Sequence, residues 1–369
     1  MSLTTQLHDG ELATWCAARL PGTGAVATAV ARAGSGHQPI RPAGAVGQHH
    51  WAAIGGALGV RLAFLVQQAP PYYSLLGLAG GGIVSRRWAD TTAASWPTHR
   101  GLPAAQRARA LQLRPTPTGW LDLGPALDPG GDDPRQELLL ADFFGRTQRD
   151  LEEHAPAGQV ASPAVEARLS QSCYVISRWE DIYRSGTLVD TLLALHEAGS
   201  YHPEELLAVA PQAAVAELGR LIALTRTSGV LKQWRDAAGR PAPGQPLGVA
   251  APVIVDNWAD ADLLIGRPGG TGGHTLVDVK TVLRLDDPQR TARWLWQILG
   301  YAWLDVAGRW DVESVALYFA RHGLQLTWPL AELAEELAGP GVRVDALRAE
   351  FRQLAEKVLV AEGAHLPGD

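Results

Sequence analysis

The second half of the chain predicts an α/β fold, on three observations. Short β-type runs at Val253–Val255, 261–266 and 275–281 precede a strong helical pattern at about 288–306 and a further β-type run at 312–320. Proline and glycine clusters around 34–47, 97–104, 114–135, 154–163 and 239–252 cut the chain into blocks, because neither residue continues a helix or strand readily. An apolar content of 46% over 369 residues is enough for a full core in one large or two ordinary domains.

Taken in order, residues 50–68 carry apolar side chains at helical spacing and predict the first clear helix. An irregular stretch is expected next, with Pro70-Pro71 and Gly80-Gly81-Gly82 as breakers. A helix at 136–153 follows, and Ser162-Pro163 with Glu166 marks another helix start, after which Leu169, Cys173, Ile176 and Glu180 recur at intervals of three and four. Helices at about 187–198 and 203–227 lead into the strands. A short strand at 324–328 and two helices close the chain, the last with Leu347, Phe351, Leu354 and Val358 on one face. The expected division is an N-terminal region, residues 1–155, helical and loop-rich and without an assigned role, and an α/β domain over 156–369.

Composition narrows the classes. No apolar run approaches the roughly 20 residues that cross a bilayer, so no membrane partner is expected. Residues 1–10 have neither a basic start nor an apolar stretch, so a signal peptide is not expected and the location is read as cytoplasmic. Cys16 and Cys173 cannot form a cysteine-rich zinc site or an iron–sulfur cluster and are read as buried small apolar residues. A net charge of −6 argues against nonspecific coating of nucleic acid but is compatible with a local basic groove.

The chemistry is concentrated around Lys280, one of three lysines in a chain that otherwise carries its positive charge as arginine. A lysine is a compact point charge that can position or deprotonate a water, unlike a forked and permanently charged arginine. If 261–266 pairs antiparallel with 274–280 about a turn centred on Gly270, then Gly266 faces His274 and Asp262 faces Asp278. Opposed residues in such a ladder have Cβ atoms about 4.5–5.5 Å apart, where like charges repel. Asp278 and Lys280 share one face of their strand, whereas Val279 points to the other, toward the core. Two carboxylates and an ammonium therefore converge, and oxygen ligands of this kind suit Mg²⁺ or Mn²⁺ together with phosphate oxygens. The same register offers a plainer reading, in which Lys280 neutralises Asp260. Gln297 and Tyr301, four apart, project from one helical face, where an amide and a phenol can hold a phosphate or orient the lysine, or simply edge an amphipathic helix.

At these residues the chain resembles the PD-(D/E)XK nuclease superfamily, specifically its RecB-like branch with a QxxxY helix. The match comprises Asp262 in Ala-Asp-Leu-Leu-Ile, Asp278-Val279-Lys280, Gln297 to Tyr301 and the strand after it, and it covers roughly 160–330. The resemblance implies a restriction-endonuclease-like αβββαβ core with a mixed sheet flanked by helices. It implies further that Asp262, Asp278 and the Val279 carbonyl bind a divalent metal, that Lys280 activates water, and that Gln297 and Tyr301 support the substrate strand. The activity implied is metal-dependent hydrolysis of phosphodiester bonds, most readily in DNA. Upstream the pattern is looser: Gly186-Thr-Leu-Val-Asp190 has aspartate where the family has histidine, and Glu180 competes with Asp190 for the early acidic position, although Glu180 and Arg184 also form a helical ion-pair spacing.

Arg284, Arg290 and Arg293 lie just before the Gln297 helix and are the expected contacts to backbone phosphates, or an ordinary solvated arginine face. The glycine-rich run 269–273 lacks a Gly-Lys-Ser/Thr ending and is read as a hairpin turn rather than a phosphate loop. His49-His50 and the pair His196 and His202 show no carboxylate partner in the sequence. Two further function classes stay open beside the nuclease: a nuclease fold that binds nucleic acid or assembles without turnover, and a partner-binding protein with no nucleic-acid role.

Overall fold

Capping chemistry sets many of the helix ends. Asp133 accepts from the backbone N–H groups of Arg135 and Gln136 with Pro134 in the first turn, and Asp287 does the same for Arg290 with Pro288 behind it. Both pairings satisfy donors that a helix start leaves open, and proline there gives up no needed N–H. The computed structural model describes residues 2–101, 104, 133–256, 258–267, 273–363 and 366. The turn expected around Gly270 and most of the 114–135 break lie outside the described residues.

The chain divides into two units, one of residues 1–41, 224–240 and 247–369, the other of 42–223 and 241–246. This corrects the expected division at 155: the first 41 residues belong with the α/β part, and the long helix beginning at Pro163 belongs with the helical part. Contacts far apart in sequence decide that partition, and local breaks do not report them.

In the α/β unit the helices α1 (Leu3–Asp9), α2 (Glu11–Arg19) and α3 (Thr23–Gly34) come first. Five strands, β1 (Gly248–Ala250), β4 (Leu263–Ile265), β5 (His274–Lys280), β6 (Val312–Phe319) and β7 (Leu324–Pro329), form one sheet in the order β1-β4-β5-β6-β7. The short strands β2 (Val253–Val255) and β3 (Ala259–Asp260) pair separately. All sheet neighbours are antiparallel except β5 and β6, which run parallel. Parallel neighbours require a crossover, and the helix Pro288–Leu304 supplies it. The α/β class with a mixed, helix-flanked sheet is thus as expected.

That crossover helix buries Trp294, Leu295, Ile298, Leu299, Tyr301 and Trp303 against Leu276, Val315, Leu317 and Phe319 on one sheet face. Each such large apolar side chain contributes about 1.5–3 kcal/mol when fully removed from water. Helices Leu330–Ala338 and Val344–Ala361, with Phe351 buried at 1% exposure, and α1–α3 complete this core. On the opposite face Tyr318 takes Thr225 through a 2.7 Å hydroxyl–hydroxyl bond and packs edge-on to Trp234.

The helical unit centres on Pro163–Ser185, which buries residues around most of its circumference. Gln48–Val66 and Tyr72–Gly80 lie against it. The second of these corrects the expected irregular stretch: the prolines at 70 and 71 precede the helix and the glycines end it, so the breakers bound an element. Gly77 explains its tight packing, since a Cβ there would stand 2.2 Å from the Trp179 carbonyl oxygen. The helix expected over 203–227 is two, Pro203–Ala208 and Gln212–Thr227, parted at Pro211. Cys16 and Cys173 are buried free thiols, as read from the sequence. Among the described residues no helix is long and apolar enough to cross a membrane.

Candidate functional site

The β4–β5 register pairs Leu263 with Val277, Leu264 with Leu276 and Ile265 with Thr275. Its next step sets Asp262 opposite Asp278, the juxtaposition predicted from hairpin symmetry. Asp262 leaves the ladder as β4 begins, and its carbonyl is held by the Ala251 N–H at 2.9 Å, with Ala251 in the left-handed region at φ 49°. Its carboxylate Oδ2 accepts from the Val279 N–H at 2.6 Å, tying it to the peptide that joins Asp278 to Lys280.

Lys280 is the last residue of β5, at the carboxyl end of the parallel pair β5–β6, the end where open α/β sheets place ligands. Its Nζ stands 2.6 Å from Asp278 Oδ2 and donates to Gln297 Oε1 at 3.0 Å. The Gln297 Nε2 donates in turn to Tyr301 OH at 2.8 Å and to Thr4 Oγ1 at 3.0 Å. The five residues Asp262, Asp278, Lys280, Gln297 and Tyr301 are therefore one connected cluster, and Thr4 of α1 joins it. Thr4 was not legible: it lies 293 positions from Gln297, in a stretch without a motif.

The electrostatics follow from burial and crowding. Asp278 is 3% exposed, and loss of water raises its carboxyl above the ordinary aspartate value while Lys280 opposes the rise. Asp262 meets solvent at the surface yet has protein crowded around its carboxyl. That crowding, followed by the charge of Asp278, raises it to about 7; Lys280 and the Val279 N–H pull the other way, and Asp260 adds to the rise. Burial first, then Asp278, Asp260 and Asp262, keeps the Tyr301 phenol protonated well past its usual range. Asp260 is thus close by, but its strand partner is Val253 and not Lys280, so the ladder pairing on which the simple neutralisation reading rested does not form. Val279 is half-buried, less enclosed than the core position expected.

The donors available to a cation here are all oxygen: two carboxylates and the Val279 carbonyl. Asp278 Oδ2 is buried and, despite the ion pair with Lys280, makes no hydrogen bond of good geometry. Among the described residues no three His, Cys, Asp or Glu side chains gather for a metal. An open site completed by water fits, since Mg²⁺ typically keeps several waters and takes one or two carboxylates.

The remaining expected residues lie elsewhere. Glu180 belongs to the helical unit and holds Arg184 at 2.5 Å. Asp190 opens the helix Asp190–Glu197 of that unit, and Gly186 ends the preceding helix, so the Gly186 to Asp190 run is an interhelical link and not a helical motif. Both acids belong to the helical unit, whereas the cluster belongs to the α/β unit. Arg284 is occupied by Asp286 through two hydrogen bonds, of 3.0 and 2.8 Å. Arg290 lies over the Trp294 ring at 5.4 Å; Arg293, half-buried, precedes Gln297 by one helical turn. His50, read as lacking a carboxylate, has one: its Nε2 is 3.0 Å from the buried Glu217. No protein-family model, curated protein or solved structure matches this chain.

Proposed function

We propose that the chain is a metal-dependent nuclease that hydrolyses phosphodiester bonds, most readily in DNA. The observation that carries this reading is the opposition of Asp262 and Asp278 across β4–β5 with Lys280 beside them on the Asp278 face. The progression from helix Val230–Ala237 through β1, β4 and β5 to the crossover helix and β6 supports a restriction-endonuclease-like αβββαβ core, with β2–β3 as an addition.

Asp262, Asp278 and the Val279 carbonyl would hold Mg²⁺ or Mn²⁺, which when bound polarises the phosphoryl group and acidifies water. The chain's own part is positioning. Lys280 pairs with Asp278 by charge and gives one ammonium proton to Gln297, so it keeps proton-donating capacity to orient a water toward phosphorus. The water oxygen gives up a proton to solvent and forms the new P–O bond as the ester P–O bond on the far side breaks, and the departing oxygen takes a proton from solvent in its turn. Gln297, fixed by Tyr301, keeps Lys280 from swinging away.

The test is cleavage of single- and double-stranded DNA and RNA with Mg²⁺ or Mn²⁺, and with both removed by chelation. Cleavage that needs the metal and falls by about 10²–10³ or more in Lys280→Ala and Asp278→Asn is expected, the scale on which preorganised polar groups act. No cleavage of any form, or Lys280→Ala as active as the parent chain, overturns the reading. A second reading is a nuclease fold that binds nucleic acid without turnover, favoured by the commitment of Lys280 to Asp278 and Gln297. Binding of nucleic acid without hydrolysis, and without heat on Mg²⁺ titration, is its distinguishing result.

A further inference from the structure

Donor and acceptor arithmetic across the cluster leaves one group unaccounted for. The ammonium of Lys280 can only donate, so it dictates which way the Gln297 amide faces: Oε1 toward Nζ, Nε2 away. The two Nε2 protons are then committed, to Tyr301 OH and Thr4 Oγ1. Thr4 therefore accepts, and its own hydroxyl proton has no acceptor among the described residues. Tyr301 is buried, but Thr4 is exposed. The chain of hydrogen bonds thus runs outward from Lys280 through Gln297 and ends at the surface in a donor.

Thr4 is also held firmly where it is. Leu3, fully buried, donates its N–H to the Trp258 carbonyl at 2.9 Å, and Gln6 donates to Glu362 at 3.0 Å, so α1 is pinned on both sides of Thr4. A pinned, solvent-facing hydroxyl with a proton to give, one amide away from Lys280, suits an anionic oxygen.

We propose that Thr4 is a substrate-binding residue whose hydroxyl donates to a nonbridging phosphate oxygen of the nucleic-acid backbone. The inference rests on the nuclease reading above, and it assigns to the N-terminal helix a direct part in holding substrate. The Thr4 proton matters for binding in the ground state and in the reaction alike, so it raises affinity without changing the rate of the bound complex.

The experiment compares the parent chain with Thr4→Val, which keeps the shape and removes the hydroxyl, and Thr4→Ser, which restores it. A KM about tenfold higher in Thr4→Val, kcat within about twofold, and recovery in Thr4→Ser are expected, as for loss of one hydrogen bond to a charged group. Binding of a fluorescent oligonucleotide with Ca²⁺ in place of Mg²⁺ should weaken by a similar factor, whether or not the chain turns over. Unchanged KM and unchanged binding in Thr4→Val overturn the inference while leaving the nuclease reading intact. A fall in kcat at constant KM overturns it as well, because that is the signature of a loosened Gln297. A parent chain that neither cleaves nor binds nucleic acid removes the nuclease reading and this inference together. Thermal midpoints of all three chains, with Thr4→Ala as a fourth, separate these outcomes from misfolding.

Discussion

Each unit contains a buried ion pair, and the two are built on different principles. In the helical unit Arg61 and Glu166, 1% and 5% exposed, meet through a fork: Nε to Oε2 at 3.0 Å and Nη2 to Oε1 at 2.6 Å, with the Ala161 N–H on Oε1 at 2.8 Å. In the α/β unit Asp278 meets a point charge on one oxygen, beside a second carboxylate that is open to water. The first pair matches one cation to one anion, with Arg61 Nη1 left without a hydrogen bond among the described residues, and braces the contact between Gln48–Val66 and Pro163–Ser185. The second leaves like charge uncompensated, an arrangement that opposes stability and is retained where a cation or substrate is expected.

Breaking the first pair should have the largest effect on stability. Arg61→Met leaves the Glu166 carboxylate buried without its cation, a loss of about 3–5 kcal/mol for such pairs, readable as a lowered urea midpoint of the helical unit. A change of less than about 1 kcal/mol would mean that the fork carries no more than a surface pair does, and the contrast between the two units would collapse.

The carboxylate beside the second pair should respond in the opposite sense. Asp262, raised to about 7 by crowding and Asp278, lies above a free aspartate near 3.9, so the folded chain holds an extra proton between about pH 4 and 7. For this group stability is greatest below pH 4 and declines as pH rises to 7. Asp262→Asn, which can still accept from the Val279 N–H, should match the parent near pH 4 and be more stable at pH 8. Mg²⁺ should raise the thermal midpoint of the parent at pH 8 more than at pH 5, because the ligand must first lose its proton. If Asp262→Asn is less stable than the parent at pH 8, the site carries no uncompensated charge.

The contrast also explains what could be read in advance. The Asp262–Asp278 register was legible because side chains alternate with period two and the two β-type runs lie symmetrically about Gly270 in the sequence. Gln297 and Tyr301 were legible as a helical pair for the same kind of reason. Thr4 was not, since nothing local marks a hydroxyl whose partner lies across the fold. The helix Tyr72–Gly80 was hidden because Pro-Pro and Gly-Gly-Gly were taken as the content of a segment when they are its ends. The division at 155 failed for want of long-range information: α1–α3 bury Leu3, Leu7, Val26 and Val30 in a core built mostly from residues beyond 250.

The smallest predicted effect concerns Gly186, whose spacing to Asp190 invited a functional reading. Its φ of 66° and ψ of 16° put it in the left-handed region at the end of Pro163–Ser185, where its N–H donates to the Ile182 carbonyl. Glycine reaches that conformation without a Cβ clash, and helices commonly end this way. Gly186→Ala should therefore lower stability by about 1–2 kcal/mol, whereas Gly186→Asn, with an amide side chain that tolerates the left-handed region, should lose less. That ordering in thermal or urea unfolding is what a cap predicts. Equal losses for Ala and Asn would point instead to a steric need for hydrogen at this position, and the helical unit would then hold a close-approach site rather than a simple helix end.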